Sequence, residues 1–108
     1  MIKVAEILDS EKRWVRGTFS TPDDSKRCLM GALIYVDVQE RLARGLGLAA
    51  GLGLAEAHAG LACDAIETVT GARPLTAISW NDAPERTFEE VHAVACEIDR
   101  LRMLRGEG

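Results

Sequence analysis

The chain has 108 residues, of which 47% are hydrophobic and 28% are charged, the balance of a single globular domain and not of a disordered segment. Thirteen Lys and Arg against seventeen Asp and Glu give a net charge of −4, which disfavours nucleic acid and anionic membranes as partners. A chain of this length buries about 65% of its unfolded surface, so folding requires neither disulfides nor a structural metal. We therefore expect one domain over residues 1–108, with no cofactor.

The N-terminal segment predicts a short helix followed by an extended stretch. Val4 and Leu8 lie at helical spacing within a helix predicted from Ile2 to about Glu11. This segment lacks the apolar core and cleavage site of a secretory signal, so we expect a cytoplasmic protein. The β-formers from Trp14 to Phe19 predict either a short strand or an extended connection, and a strand there could pair with Leu75–Trp80 in a two-stranded ribbon.

A long apolar helix is predicted next. Thr21 followed by Pro22 and two aspartates is a typical helix start, so the helix is expected from Pro22 to about Arg44. Its first half is apolar on nearly every side, which predicts a central helix against which the other helices pack. Gly31 costs about 1 kcal/mol in helix propensity relative to Ala, so we expect a neighbouring backbone to approach closely there.

The second half of the chain predicts two further helices after a Gly/Leu-rich segment. The letters G-L-G-L-A occur at residues 45–49 and again at 51–55, and residues 45–53 predict a loop or a frayed helix end. A helix follows from Leu54 to Thr70, with Gly71 as its C-cap. Thr87 and Glu90 form a capping-box pattern that starts a last helix from Phe88 to about Leu104, and 106–108 are expected to be a flexible tail. The predicted fold is mainly α, a small domain of about four helices.

The cysteines and histidines raise the possibility of thiol or metal chemistry. Three widely spaced cysteines do not suggest a disulfide framework. His92 and Cys96 lie four residues apart on one helix face, where they could share a zinc ion or form a His-activated thiolate, and Cys28 and His58 could complete a four-ligand set. No CxxC or HxxxH spacing supports this set, and buried cysteines in proteins usually pack as small hydrophobes. We expect Cys63 to be the most reactive thiol.

The tripeptide Trp80-Asn81-Asp82 before the last helix is the second candidate site. In one interpretation the Asn and Asp side chains simply bond to free backbone N–H groups of a turn that the indole anchors. In the other, Asn81, Asp82 and Arg86 project beside Trp80, with Trp14, and bind a ligand or partner. Asp82 is expected to pair with Arg86 in either case.

Two basic clusters suggest a local nucleic-acid patch only weakly. Lys12–Arg16 interleaves charge with an aromatic residue, and Arg100, Arg102 and Arg105 lie towards the end of the last helix. Helix-dipole complementarity explains the second cluster without a partner. Residues 82–99 carry six acidic residues and one Arg, which would repel phosphate, so nucleic-acid binding is not expected.

Several of these residues occur together in a known pattern. Trp14 and Gly17 match W-x-x-G, residues 28–32 match C-x-x-G-A, residues 80–82 match W-N-D, and residues 86–91 match R-T-x-x-E-V. The chain thereby resembles a family of small bacterial and phage proteins of unknown function. The resemblance implies an intact single domain in which the W-N-D turn is a shared feature, and it implies no activity.

The sequence therefore favours a binding protein over an enzyme. GxGxxG, GxxxxGK[ST], GxSxG and HExxH are all absent from it. We expect a non-enzymatic protein-interaction module that binds a protein partner or forms a homodimer, with Leu46, Leu48, Leu52 and Leu54 at the interface. The resemblance to phage proteins suggests an accessory role in host–phage conflict. The alternatives are a small metal- or thiol-dependent enzyme or binder using His92 and Cys96, and small-molecule binding beside Trp80.

Overall fold

Helices packed against one another make up most of the fold. The computed structural model describes residues 2–45 and 54–104, except for the side chains of 54–57. The described part contains five helices, α1 (Val4–Ile7), α2 (Leu29–Ala43), α3 (Leu54–Thr70), α4 (Ala77–Asp82) and α5 (Phe88–Leu104), and a 3₁₀ turn at Glu11–Arg13. The mainly α prediction is confirmed, with one helix more than expected. Residues 46–53 of the predicted 45–53 loop, and the predicted tail at 106–108, lie outside the described residues.

Helix α1 is held in place by a residue from the other end of the fold. Val4 N and Ala5 N donate to the two carboxylate oxygens of Asp99 on α5, at 2.7 and 3.0 Å. A four-residue helix has no independent stability in water, so this distant carboxylate and the burial of Val4 and Leu8 maintain it. The helix ends at Ile7, short of the predicted Glu11.

Helix α2 begins seven residues later than the sequence predicted. Its N-cap is Cys28, whose Sγ accepts a hydrogen bond from Gly31 N at 3.3 Å. The predicted start forms a separate turn in which the Asp23 carboxylate accepts from Thr21 Oγ1 and from the Ser25 N–H and hydroxyl. These bonds lower the pKa of Asp23 from 3.8 to about 2. The next residue, Asp24, has a φ of 60°, a left-handed conformation in which a helix cannot continue.

The predicted close approach at Gly31 is confirmed. A Cβ at this position would lie 2.0 Å from the carbonyl oxygen of Phe19, which is a backbone atom. The same carbonyl accepts the N–H of Cys28 at 3.1 Å. Glycine in the first turn of α2 therefore lets residues 17–20 pack directly against the helix.

The predicted two-stranded ribbon does not form, because half of it is helical. Residues 77–82 make up α4, which begins where Thr76 Oγ1 accepts the N–H of Ser79 at 3.0 Å. The extended stretch after the 3₁₀ turn bonds instead to the residue before Cys28: Arg27 N donates to Arg13 O at 2.8 Å, and Val15 N donates to Arg27 O at 3.2 Å. In the described part of the chain these contacts produce isolated bridges and no sheet.

The end of α3 and the start of α5 follow local capping signals. Gly71 after α3 has a φ of 83° and donates to Glu67 O at 2.8 Å. At the start of α5, Thr87 N donates to Glu90 Oε1 at 2.9 Å and Glu90 N donates to Thr87 Oγ1 at 3.3 Å. The bounds of α3 and the start of α5 therefore agree with the sequence prediction.

The core lies between several helices and is not arranged around α2 alone. The most extensive packing is between α3 and α5, while α2 packs on α1, α3 and α4. Fully buried side chains come from all of these elements, including Leu8, Leu29, Leu33, Ile66, Val91, Val94 and Ile98. The prediction that the first long helix is the centre of the fold is therefore not confirmed.

Among the described helices, none combines the length and apolar character that a membrane span requires.

Candidate functional site

The residues of the W-N-D turn meet the start of α2 around one buried amide. Asn81 is fully buried, and its Oδ1 accepts from Trp14 Nε1 at 2.8 Å and from Leu29 N at 3.1 Å. Its Nδ2 donates to Val15 O at 3.2 Å and to Asp82 Oδ1 at 2.9 Å. Both polar atoms of this side chain are fully used, so Asn81 joins the extended stretch, α2 and α4 at a single point.

The two charged residues of the candidate site have partners other than each other. The expected contact between Asp82 and Arg86 is replaced: Asp82 Oδ1 accepts the N–H of Gly17 at 2.9 Å. Arg86 donates from Nε to Trp80 O at 2.9 Å and from Nη1 to Glu90 Oε2 at 3.0 Å, while its guanidinium lies 4.0 Å from the centroid of the Trp80 ring. Arg86 therefore links α4 to the first turn of α5.

These contacts favour the structural interpretation of most residues in the pattern. Trp14 and Trp80 are buried, and one face of the Trp80 ring is covered by Arg86. The W-x-x-G and W-N-D residues bond to one another, as do Thr87 and Glu90. Of the five candidate binding residues, Asp82 lines an open cleft beside α4.

That cleft, here called the α4 groove, lies between residues 17–19 and α4. It has a volume of about 320 Å³ and is lined by Gly17, Thr18, Phe19, Cys28, Ile78 and Asp82. Phe19 is 51% exposed and Ile78 is 44% exposed, and Leu75, three residues before Ile78, is 96% exposed. Sequence analysis missed this surface because it assigned both segments to a ribbon. The sequence did contain one signal for a helix here. Thr76 is a good N-cap residue whose hydroxyl can accept the N–H of Ser79, three residues later, and a helix that begins there has Ile78 on its outer side.

The four candidate metal ligands do not come together. Cys28 is buried at the start of α2, and burial raises the pKa of its thiol. His58 is buried on α3, with Nε2 3.7 Å from a carboxylate oxygen of Asp37. Only His92 and Cys96 are neighbours, with 3.9 Å between Nδ1 and Sγ. Across residues 2–45 and 54–104, as far as their side chains are described, no three His, Cys, Asp or Glu residues are grouped to hold a metal ion.

Thiol exposure differs from the prediction. Cys63 is 7% exposed because it faces the interior of the domain. Cys96 is the exposed cysteine among the three. The burial of Cys63 argues against the expectation that it is the most reactive thiol, because Cys96 is the one that solvent reaches.

The arginines of the two basic clusters are largely engaged within the chain. Those in the described segments have the following partners: Arg13 pairs with Asp9, Arg16 stacks 4.4 Å from the ring centroid of Trp14, Arg100 pairs with Glu97, and Arg102 pairs with Glu40. Arg105 lies outside the described residues. The clusters are therefore not rows of unpaired cations.

Comparison with known proteins identifies a family but no activity. A family model described as a family of unknown function, DUF6197, matches residues 1–97. No curated protein matches the chain. No solved structure matches it either.

Proposed function

We infer that this chain, which belongs to the family of unknown function DUF6197, is a non-enzymatic protein-interaction module that pairs with a second copy of itself through the α4 groove. The observation that carries the proposal is the exposed apolar surface at this groove. Phe19 and Ile78 are large hydrophobic side chains that line the groove and that the fold leaves 51% and 44% exposed. Leu75, three positions before Ile78 and not among the lining residues, is 96% exposed. Clustered exposed apolar side chains are typical of protein interaction sites.

The shape of the surface favours a second copy as the occupant. The same region has both a cleft and an exposed aromatic ring, Phe19, at the cleft wall. A twofold axis beside the groove places the ring of each copy against the cleft of the other, which is the self-complementary arrangement of a symmetric dimer. The buried Asn81 contacts fix the two walls of the groove relative to each other, so little ordering is needed on binding.

The expected affinity is modest. Full burial of a large apolar side chain is worth about 1.5–3 kcal/mol, so covering the exposed fractions of Phe19 and Ile78 contributes about 1.5–3 kcal/mol per copy, which counts twice in a symmetric dimer. Association itself costs at least about 4 kcal/mol. A symmetric dimer therefore has a small net gain, and we expect a weak, concentration-dependent equilibrium.

Light scattering and sedimentation of the purified chain over a wide concentration range test the proposal. The apparent mass should rise from 11.7 kDa towards twice that value as the concentration increases. Phe19→Ser and Ile78→Ser should each weaken the dimer by about tenfold. Leu42→Ser and Val69→Ser are matched controls, because these residues are similarly exposed, at 55% and 42%, on other helices.

Two results would contradict the proposal. One is a chain that stays monomeric at every concentration. The other is a loss of association in the Leu42 and Val69 controls that equals the loss in the groove variants. Circular dichroism of each variant shows whether it retains its helical content, so that unfolding is not mistaken for a loss of binding.

A further inference from the structure

We propose that His92 and Cys96 on α5 form one half of a zinc-type metal site that a second copy of the chain completes. The α4 groove plays no part in this site, which lies on a different helix. Both residues sit on the same side of α5, one turn apart, and Cys96 is exposed to solvent. Imidazole nitrogen and thiolate sulfur are the ligands that Zn²⁺ prefers in proteins.

The distance between the two ligand atoms fits a shared metal ion. Nδ1 of His92 and Sγ of Cys96 are 3.9 Å apart. Zinc–sulfur and zinc–nitrogen bonds at a tetrahedral angle require a separation of about 3.6 Å. Small side-chain rotations remove the difference. The His92 ring already packs against Phe88, with 5.6 Å between ring centroids, which limits the freedom that binding must remove.

A single copy supplies only half of the ligands. Structural zinc sites are almost always four-coordinate. The carboxylate of Asp99, the next acidic residue on this side of α5, already accepts the N–H groups of Val4 and Ala5. The described side chains provide no third His, Cys, Asp or Glu at this position. His92 and Cys96 from a second copy would complete a set of two imidazoles and two thiolates.

The exposed side of α5 is suited to an antiparallel crossing with its symmetry mate. Ala93 is exposed between the two ligands, and its small side chain allows the helices to approach closely. With the metal on the twofold axis near residue 94, exposed Glu89 of each copy faces exposed Arg100 of the other, an arginine that also pairs with Glu97 of its own copy. These opposite charges favour the antiparallel orientation over the parallel one.

Binding has a defined proton balance. Each Cys96 thiol loses its proton to solvent as the sulfur–zinc bond forms, and the two thiolates neutralise the charge of the ion.

Titration of the reduced full-length chain with Zn²⁺ and, separately, with Co²⁺ tests the site. We expect one ion per two chains, a twofold rise in the light-scattering mass that EDTA reverses, and a cobalt–thiolate charge-transfer band. Cys96→Ser and His92→Gln should abolish all three responses. Cys63→Ala, which removes a buried thiol, should leave them unchanged. Phe19→Ser should also leave them unchanged, which separates this site from groove-mediated pairing.

Several results would overturn the proposal. They are the absence of a response to either metal, one ion per chain without a change in mass, and wild-type binding by Cys96→Ser.

Charge reversal tests the orientation: Glu89→Arg should weaken metal-dependent pairing about threefold or more, and adding Arg100→Glu should restore it. Pairing of Glu89→Arg at the wild-type level would refute the antiparallel crossing.

Discussion

Replacing Gly31 with alanine should destabilise the protein, although alanine is the better helix former. An added Cβ would lie 2.0 Å from the carbonyl oxygen of Phe19 and 2.9 Å from its carbonyl carbon. Close carbon–oxygen contacts in proteins are near 3.3 Å, so the Phe19 carbonyl would have to move by roughly 1 Å. That carbonyl also accepts the N–H of Cys28, and the movement would lengthen or break this bond.

The two effects of the Gly31→Ala substitution have opposite signs. Alanine gains about 1 kcal/mol of helix propensity. Overpacking against backbone costs about 1–3 kcal/mol, and loss of the Cys28 hydrogen bond costs about 1 kcal/mol more. We therefore expect a net loss of about 1–3 kcal/mol in the free energy of unfolding.

Urea denaturation followed by circular dichroism measures this loss, with Gly60→Ala as the matched control. Gly60 lies inside α3, and an added Cβ there meets nothing within 4 Å. Gly60→Ala should therefore stabilise the protein by up to about 1 kcal/mol. If both variants shift the unfolding midpoint in the same direction, the inferred contact between residue 31 and the Phe19 carbonyl is incorrect.

Three further predictions concern the same fold. Asn81→Ala leaves a buried indole N–H and a buried backbone N–H without their acceptor, so thermal and urea unfolding should show a loss of about 3–5 kcal/mol. The Thr87 N–H holds the pKa of Glu90 below 4.5, so this carboxylate stabilises the fold above about pH 4.5 and the effect is lost as the pH falls through the lowered pKa. At neutral pH, Glu90→Gln should therefore have a lower free energy of unfolding than wild type. In acid the two free energies should converge. In a thiol titration of the native protein, Cys96 alone should react rapidly, and Cys96→Ser should remove that phase, because Cys28 and Cys63 are buried.

The helices that could be predicted are those whose ends are fixed by neighbouring residues. Gly71 and the Thr87–Glu90 pair act within a few positions of the ends they cap, so the sequence alone contains their geometry. The start of α2 could not be predicted in this way. Thr21 is a good cap in isolation, but its hydroxyl bonds to Asp23 in a turn, and Cys28 caps the helix beside a carbonyl from the extended stretch.

The candidate site shows the same division. The sequence identified Trp14, Asn81 and Asp82 as residues of interest, but their partners lie more than 50 positions away along the chain. Contacts at such separations depend on the packing of whole helices and leave no local pattern. Phe19 and Ile78 were missed for a related reason: β-forming residues suggested a ribbon, whereas residues 77–82 form α4.

The bond between α1 and Asp99 also has a consequence for the order of events during synthesis. Val4 and its acceptor are separated by 95 positions, so the acceptor leaves the ribosome only after most of the chain. Until then, the apolar side chains of Val4 and Leu8 have no stable place to dock, because a single helical turn does not persist alone. A nascent chain stalled before residue 99 should therefore present its first segment to chaperones, and release should allow that segment to dock last.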